Sequence, residues 1–357
     1  MRLWLPPSPT ARGPARRRPV FYNAAMQLDR DLNVAVLRAL FPPGPATRRG
    51  WEMLAATGVR GLRLVEETDA FGGYDFTEAN PAAFEVLERN VHESGHAGLQ
   101  THLADATRPI EQGTFDYVDL DPFGTPAPFA DSALRALAPS GVIAVTATDL
   151  PVLTGVARGV CERRYGARPV RGSQGPEGGL RILIAYMIRE ASRRSHDLRP
   201  VLSYVHDHYV RVFLASHALT SQSVGNLRLG DPGQMGDAGP PIAGTGPFGP
   251  MWLGPLFDPA LVVRLQVPPT AQRPEELRKF LDRLKEESTA DQPFYYEPNA
   301  LAAELHLREP PPLAALLAAL RARGFAAARS HVRASAFRTT APRSIVEQVA
   351  REARPVP

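Results

Sequence analysis

Between residues 51 and 148, short apolar runs alternate with segments of helical period, and no other feature restricts the fold of this 357-residue chain so tightly. A strand, a crossover helix and a further strand, repeated, build a parallel sheet with helices packed on its faces. Residues 51–56 read as a first strand that enters the glycine-containing turn of residues 57–61. Residues 74–77 read as a second strand, 115–120 as a third that stops at Asp121-Pro122, and 141–148 as a fourth, apolar enough to be central. After the second strand, Asn80 suits a helix N-cap and Pro81 the first helical position; Phe84, Leu87 and Val91 then recur on one helical face.

Around residues 193–200 the pattern changes. Residues 201–215 are rich in aromatic and β-branched residues and predict two strands or one bent strand, and residues 230–250 are dominated by Gly and Pro and predict a loop. Helical patterns follow at 274–287 and at Leu313, Leu316, Leu317 and Leu320, the last closed by Gly324. A chain of this length exceeds what one core usually supports. The expected organisation is an α/β domain over residues 1–200 and a smaller α+β domain over residues 201–357.

Composition narrows the function classes. Apolar residues make up 44% and charged residues 22%, as in ordinary globular proteins. No apolar run approaches the roughly 18 residues needed to span a bilayer. Arg16, Arg17 and Arg18 are not followed by an apolar stretch of the secretory kind, so a cytoplasmic protein with no membrane association is expected. The single cysteine, Cys161, excludes an internal disulfide and a multi-cysteine zinc site. His206 and His208 flank Asp207 without further ligands, and no metal is expected. The net charge of +4 rests on arginine, with only Lys279 and Lys285 as lysines, and is compatible with a polyanionic partner. No obligate protein partner is evident. Candidate phosphate contacts are Arg16 to Arg18, Arg193 and Arg194 with Arg199, and the arginines between Arg321 and Arg333.

Two motifs carry chemistry. A strand-to-helix turn at Ala56-Thr57-Gly58-Val59-Arg60-Gly61, followed by Glu78 at the end of the next strand, can place a ribose at the carboxyl edge of a sheet. That pair suits a dinucleotide or S-adenosylmethionine equally. Asp121-Pro122-Phe123-Gly124 is more selective. A guanine exocyclic amine is a poor nucleophile because its lone pair is delocalised into the ring. A carboxylate and a carbonyl fixed by proline can accept its two N–H groups and aim the lone pair at an electrophile, while the next aromatic stacks on the base. Asp119, two residues earlier, reads more readily as structural or cofactor-side than as the second half of an acid–base pair.

The run from Asp119 to Phe129 closely resembles the signature of the tRNA (guanine(26)-N(2))-dimethyltransferase family. Val20-Phe21-Tyr22-Asn23, Arg30-Asp31, Ala56 to Arg63, Thr146 to Asp149, Asp207 to Val212, Met251 to Leu256, Arg329-Ser330-His331 and Phe337-Arg338-Thr339 resemble further family segments in the family's order, covering roughly residues 20–342. The resemblance implies a Rossmann-like methyltransferase domain with a C-terminal tRNA-binding domain, S-adenosyl-L-methionine as cofactor, and tRNA as partner. It implies that Asp121 is catalytic, with Pro122 beside it and Phe21 and Phe123 sandwiching the guanine. It further implies that Arg30, Arg60, Glu78, Asp105 and Ala106 line the cofactor site, Glu78 holding the ribose and Asp105 reaching the adenine amine.

The chain departs from the family pattern in three places: Ala24 stands where proline is usual, Asp29 where asparagine is usual, and Glu52 where aspartate is usual. The residues alone leave two alternatives open. One is an amino-methyltransferase acting on adenine, rRNA or a protein side chain; the other is a non-catalytic RNA-binding homologue.

Overall fold

A computed structural model describes residues 3–5, 20–42, 47–108, 110, 113–220, 229–231, 239–242 and 246–353. Arg16 to Arg18 lie outside the described residues. The chain opens with helix α1 (Gln27–Leu40) and then alternates: β1 (Arg48–Glu52), α2 (Val59–Thr68), β2 (Phe71–Glu78), α3 (Pro81–Ser94), β3 (Leu99–Leu103), β4 (Phe115–Leu120), α4 (Ala130–Ala136), β5 (Leu137–Ala147). Short helices α5 (Leu150–Leu153) and α6 (Arg158–Tyr165) precede the long α7 (Gly175–Ser192), and β6 (Leu198–His206) and β7 (Tyr209–Ser216) follow.

One seven-stranded sheet results, in the order β3-β2-β1-β4-β5-β7-β6. Strands β1 to β5 run parallel and β7 lies antiparallel between β5 and β6. The chain works outward from β1 to β3 on one side and then returns to β4 on the other, which opens a crevice at the carboxyl ends of β1 and β4. Ligands of open α/β sheets bind at such a switch point.

The first strand begins and ends earlier than the sequence reading, at Arg48 and Glu52, because residues 53–58 turn rather than extend. Gly58 occupies the left-handed region at φ 73°, and a Cβ there would stand 2.6 Å from Leu87, so glycine is required on both counts. Asn80 caps α3 as expected, its side chain accepting from the Ala82 amide at 3.0 Å.

The division expected at residue 200 falls inside β6. Residues 201–215 complete the main sheet: β7 pairs with β5 over six residues, from Val142↔Ala215 to Ala147↔Val210. Its run of apolar and β-branched residues suits a strand buried on both faces. The main core extends further, taking in Leu261, Leu277, Leu281 and Leu284 from α8 (Pro259–Arg264) and α9 (Pro274–Ser288). A second core gathers later, where Tyr296, Leu301, Leu316, Leu320, Phe337 and Val346 bring together α10 (Pro298–Glu304), α11 (Leu313–Ala322) and α12 (Arg343–Glu352) around a two-stranded antiparallel ribbon, 327–329 with 337–339. Gly324 follows α11 at φ 85°, the left-handed stop that its position in the sequence suggests.

Candidate active site

The carboxyl edge of the sheet carries two groups of residues. On the β2–β3 side, Glu78 ends β2 and pairs in register with Leu103 of β3, so that Asp105 follows two residues beyond the same level. Glu78 accepts the Ala56 amide on one carboxylate oxygen and the Asn80 amide on the other, both at 2.8 Å. The first of these bonds holds Ala56 at a positive φ of 47° and so fixes the turn before Gly58. The turn is braced from behind by Asn90 of α3, whose buried amide donates to the Thr57 carbonyl at 2.9 Å and to the Trp4 carbonyl at 3.0 Å. Asp105 is exposed, and its bond from the Thr107 amide holds its carboxyl below the usual range. Ala106 is buried beside it. Each carboxylate oxygen retains acceptor capacity after these bonds. A ribose diol and an adenine amine are donor groups, so the pair fits the nucleoside half of S-adenosylmethionine.

On the β1–β4 side lies a cluster of buried charges. Asp121 follows β4, and Arg60 stands in the first turn of α2. The Arg60 guanidinium divides itself, giving Nη1 to Asp29 of α1 at 2.6 Å and Nη2 to Asp121, while its Nε lies 3.8 Å from Asp119 and 4.0 Å from Glu52. A second guanidinium, Arg211 of β7, donates to Asp119 at 2.6 Å, to Thr146 at 2.6 Å and to Asn33 at 3.0 Å. Asp119 also accepts from the Tyr117 hydroxyl at 2.5 Å and has no exposed surface, so it anchors the cluster and leaves chemistry to its neighbour.

Four carboxylates thus share two guanidinium groups. Glu52, buried and close to Asp119, is pushed up to about 8 despite Arg60 and the Gly61 amide that donates to it at 2.9 Å. Burial pushes the Asp29 carboxyl up, but Arg60, Arg211 and the Tyr204 hydroxyl at 2.5 Å outweigh it and hold the group at about 2. Asp121 is raised above the ordinary carboxylate range by burial and by Asp29 and Asp119, against the pull of Arg60 and Arg211. It is also the member with access to solvent, its side chain 25% exposed where those of Asp29 and Asp119 are 0%. Of the two raised carboxyls, Glu52 is buried and Asp121 has access to solvent, and a raised carboxylate with access is the pattern of an acceptor poised for use.

The loop after Asp121 is held rigid. Pro122 is buried, and Gly124 and Thr148 exchange bonds, amide to hydroxyl at 2.7 Å and amide to carbonyl at 2.9 Å. Thr125 meets the Tyr165 hydroxyl at 2.7 Å, and Tyr165 donates to Asp149. Phe123 is 65% exposed and meets Phe21 edge to face at 4.4 Å. The two rings touch, so a base fits between them only after one ring turns aside; the sandwich implied by the resemblance is not formed in this arrangement.

Arg30 is brought to the same mouth in a different role from Arg60. Its guanidinium donates to the Asn23 carbonyl at 3.1 Å and the Gln27 side chain at 3.1 Å, and packs 5.1 Å over the Tyr22 ring, which fixes the segment carrying Phe21. Arg63 turns away to Asp31 at 2.7 Å. The Cys161 thiol is buried and pushed up to about 12, which disqualifies it as a nucleophile. Most members of the basic groups seen in the sequence are paired: Arg193 and Arg194 with Glu190, Arg199 with Asp197, Arg321 with Glu286, Arg323 with Glu352 and Arg333 with Glu297.

Glu52, Asp29 and Arg211 were not named as site residues from the sequence. The available signal was a charged residue inside an apolar run, as in Val210-Arg211-Val212, which in a central strand requires a buried partner.

The sheet order, the acidic residues ending successive strands and the Asp121-Pro122-Phe123-Gly124 turn define a Rossmann-like methyltransferase. The family model for N2,N2-dimethylguanosine tRNA methyltransferase matches residues 11–227 and 244–351, and the chain belongs to that family. The chain is 33% identical over 93% of its length to the tRNA (guanine(26)-N(2))-dimethyltransferase of Thermococcus kodakarensis, 93% of which is covered. It is 33% identical over 82% of its length to the enzyme of that name from Metallosphaera sedula, 80% of which is covered. The structure of Trm1 from Pyrococcus horikoshii in complex with S-adenosyl-L-methionine superposes with a TM-score of 0.80 at 28% identity, covering 94% of this chain and 96% of that one. Among the described residues, no helix is long and apolar enough to cross a membrane.

Proposed function

We propose that this chain methylates the exocyclic N2 of a guanine in tRNA, at position 26, with Asp121 as the residue that accepts from the reacting amine. As a member of its family the protein is an S-adenosylmethionine-dependent tRNA methyltransferase. The observation that carries the residue assignment is the raised, part-exposed Asp121 carboxylate, two residues before the exposed Phe123, at the carboxyl edge where Glu78 and Asp105 also lie.

When bound, the cofactor supplies an electrophilic methyl group on a sulfonium sulfur. Asp121 accepts one N–H of the guanine amine, and the Pro122 carbonyl is placed by its fixed backbone to accept the other; the nitrogen then pyramidalises and its lone pair points toward the methyl carbon. Transfer would form the C–N bond as the methyl–sulfur bond breaks, its electron pair staying on sulfur as a neutral thioether; the nitrogen is then cationic, and Asp121 takes the proton that restores a neutral amine. Phe123 stacks on the base and Phe21 backs it once the two rings part. Glu78 and Asp105 orient the nucleoside half of the cofactor, with Arg60 facing Asp121. We assign the smaller core of residues 296–350 to gripping tRNA, which requires the target base to be turned out of the folded RNA. The reaction is placed in the cytoplasm, in keeping with a single buried, unpaired cysteine.

The test incubates the purified protein and its Asp121→Ala variant with unmodified tRNA and labelled S-adenosylmethionine, followed by nucleoside mapping. Label in N2-methylated guanosine at position 26, reduced about 10²–10⁴-fold in the variant, is expected for loss of a positioned proton acceptor. Label absent from tRNA, or label undiminished in the variant, overturns the reading.

A further inference from the structure

Asp29 is a member of the charge cluster that the mechanism does not use. It is fully buried on α1, donates nothing and touches no surface a substrate could reach, yet it takes Nη1 of Arg60 at 2.6 Å. An arginine facing a lone carboxylate closes a two-pronged pair with it, which occupies both oxygens. Here the fork is split, and only Nη2 reaches Asp121. We propose that Asp29 is a positioning residue that draws one arm of Arg60 away, so that Asp121 keeps an oxygen free and its acceptor strength intact for the guanine amine. This inference rests on the assignment of Asp121 above.

The geometry leaves Asp29 little freedom to do otherwise. The Tyr204 hydroxyl of β6 donates to its second oxygen at 2.5 Å, and Arg211 Nε lies 3.7 Å from that oxygen, so the carboxylate is clamped from three elements. Its charge also acts on Asp121 directly: with Asp119 it raises that carboxyl, while Arg60 and Arg211 lower it; Glu52, Tyr117, Tyr204, Tyr209 and Arg30 also face this cluster.

The test measures kcat and KM across pH for the full-length wild type and its Asp29→Asn, Tyr204→Phe and Asp121→Asn variants, with calorimetric binding of S-adenosylmethionine and a melting curve for each. Asp29→Asn is nearly isosteric and removes only the charge. The midpoint of its acid limb in kcat should move down by about one pH unit, the lower end of the effect of removing a close like charge. Its plateau kcat should fall roughly three- to tenfold, as Brønsted behaviour requires of a weaker acceptor. Tyr204→Phe keeps the charge and frees an oxygen of Asp29, so its midpoint should not fall. A lowered melting point with an unmoved midpoint in Asp29→Asn, an equal downward shift in both variants, or a change confined to cofactor affinity would overturn the proposal. An Asp121→Asn enzyme that turns over at the wild-type rate overturns the Asp121 assignment and this inference together; an inactive one beside an unshifted Asp29→Asn overturns this inference alone.

Discussion

Around Arg60, four carboxylates share two guanidinium groups beneath a mouth that reaches solvent through Asp121; around Arg338, Glu177 and Glu287 meet Arg338 and Arg181 with no side-chain surface exposed at all. In the second cluster every pairing is close. Arg338 donates both Nη1 and Nη2 to Glu177 at 2.9 Å and Nε to Glu287 at 2.6 Å, and Arg181 meets Glu177 at 2.8 Å. Glu287 also accepts from His331 Nδ1 at 2.7 Å, while His331 Nε2 accepts the Val205 amide at 3.2 Å; that pair of bonds assigns the proton to Nδ1 and ties the C-terminal ribbon to β6. Burial pushes Glu287 up, but His331 and Arg338 outweigh it and hold it at about 2. The contrast teaches how to tell a joint from a site. The enclosed cluster fastens α7 to the C-terminal residues even though buried Asp291 beside it is pushed up to about 6 and Arg181 Nη2 has no hydrogen-bond partner among the described residues. What sets the Arg60 cluster apart is access: there a raised carboxyl, Asp121, is open to solvent and can take up a proton.

The sharpest way to break this contrast is to treat the joint as if it were a site. Arg338→Met leaves Glu177 and Glu287 buried without their shared cation, and removing one partner of such a cluster costs about 3–5 kcal/mol. Denaturant unfolding should show that loss, while methyl transfer at a permissive temperature persists per folded molecule; a stable Arg338→Met protein would refute the structural role.

Glu52 sharpens the other side. Its folded carboxyl at about 8 lies above the ordinary 4.5, so the favourable contribution of its protonated form is complete below about 4.5 and is lost as pH rises toward 8. Glu52→Gln keeps an acceptor for the Gly61 amide without the charge. Unfolding measured at pH 5 and pH 8 should find the variant more stable than wild type by about 4 kcal/mol at pH 8 and by about 1 kcal/mol at pH 5. Equal differences at both pH values would mean that Glu52 is not the strained member.

The smallest expected effect lies at the mouth. Phe123 is 65% exposed, so Phe123→Ala should leave the melting curve unchanged while weakening substrate capture by about 1–3 kcal/mol, the contribution of one stacked base. A rise in KM for tRNA with unaltered stability checks it; a large fall in melting temperature would move Phe123 from the site into the core.

Much of the parallel half was legible because its strands are apolar runs closed by turns: the ends of β2 and β4 and the cap at Asn80 follow from local chemistry. Strand β3 was missed because Leu99–Leu103 lies at the sheet edge and is nowhere fully buried, which removes the apolar run. Helix α1 was missed for the opposite reason, since Gln27, Asp29, Arg30, Asp31 and Asn33 are all buried in polar pairs and mask its helical period. Helix α7 opens with Gly175-Pro176-Glu177-Gly178-Gly179, which reads as a turn; a Cβ at residue 179 would come within 2.9 Å of Leu153, so the glycine serves close helix packing. The strand pair β6–β7 was recognised as strands but placed in the wrong domain, because sequence carries no mark of which sheet a strand joins.

By itself the sequence determined where acidic and aromatic residues follow strands, because turn and strand preferences act over a few neighbouring residues. It therefore located Glu78 and the Asp121 to Gly124 turn, whereas Asp105 came from the family resemblance alone because the strand ahead of it was missed. Only the tertiary structure decided what those groups face. Arg60 is shared by Asp29, 31 residues before it, and Asp121, 61 residues after it, and Asp119 is held by Arg211, 92 residues further along. The strength of a charge pair depends on separation in space and on exclusion of water, and neither quantity is written in the spacing of residues along a chain.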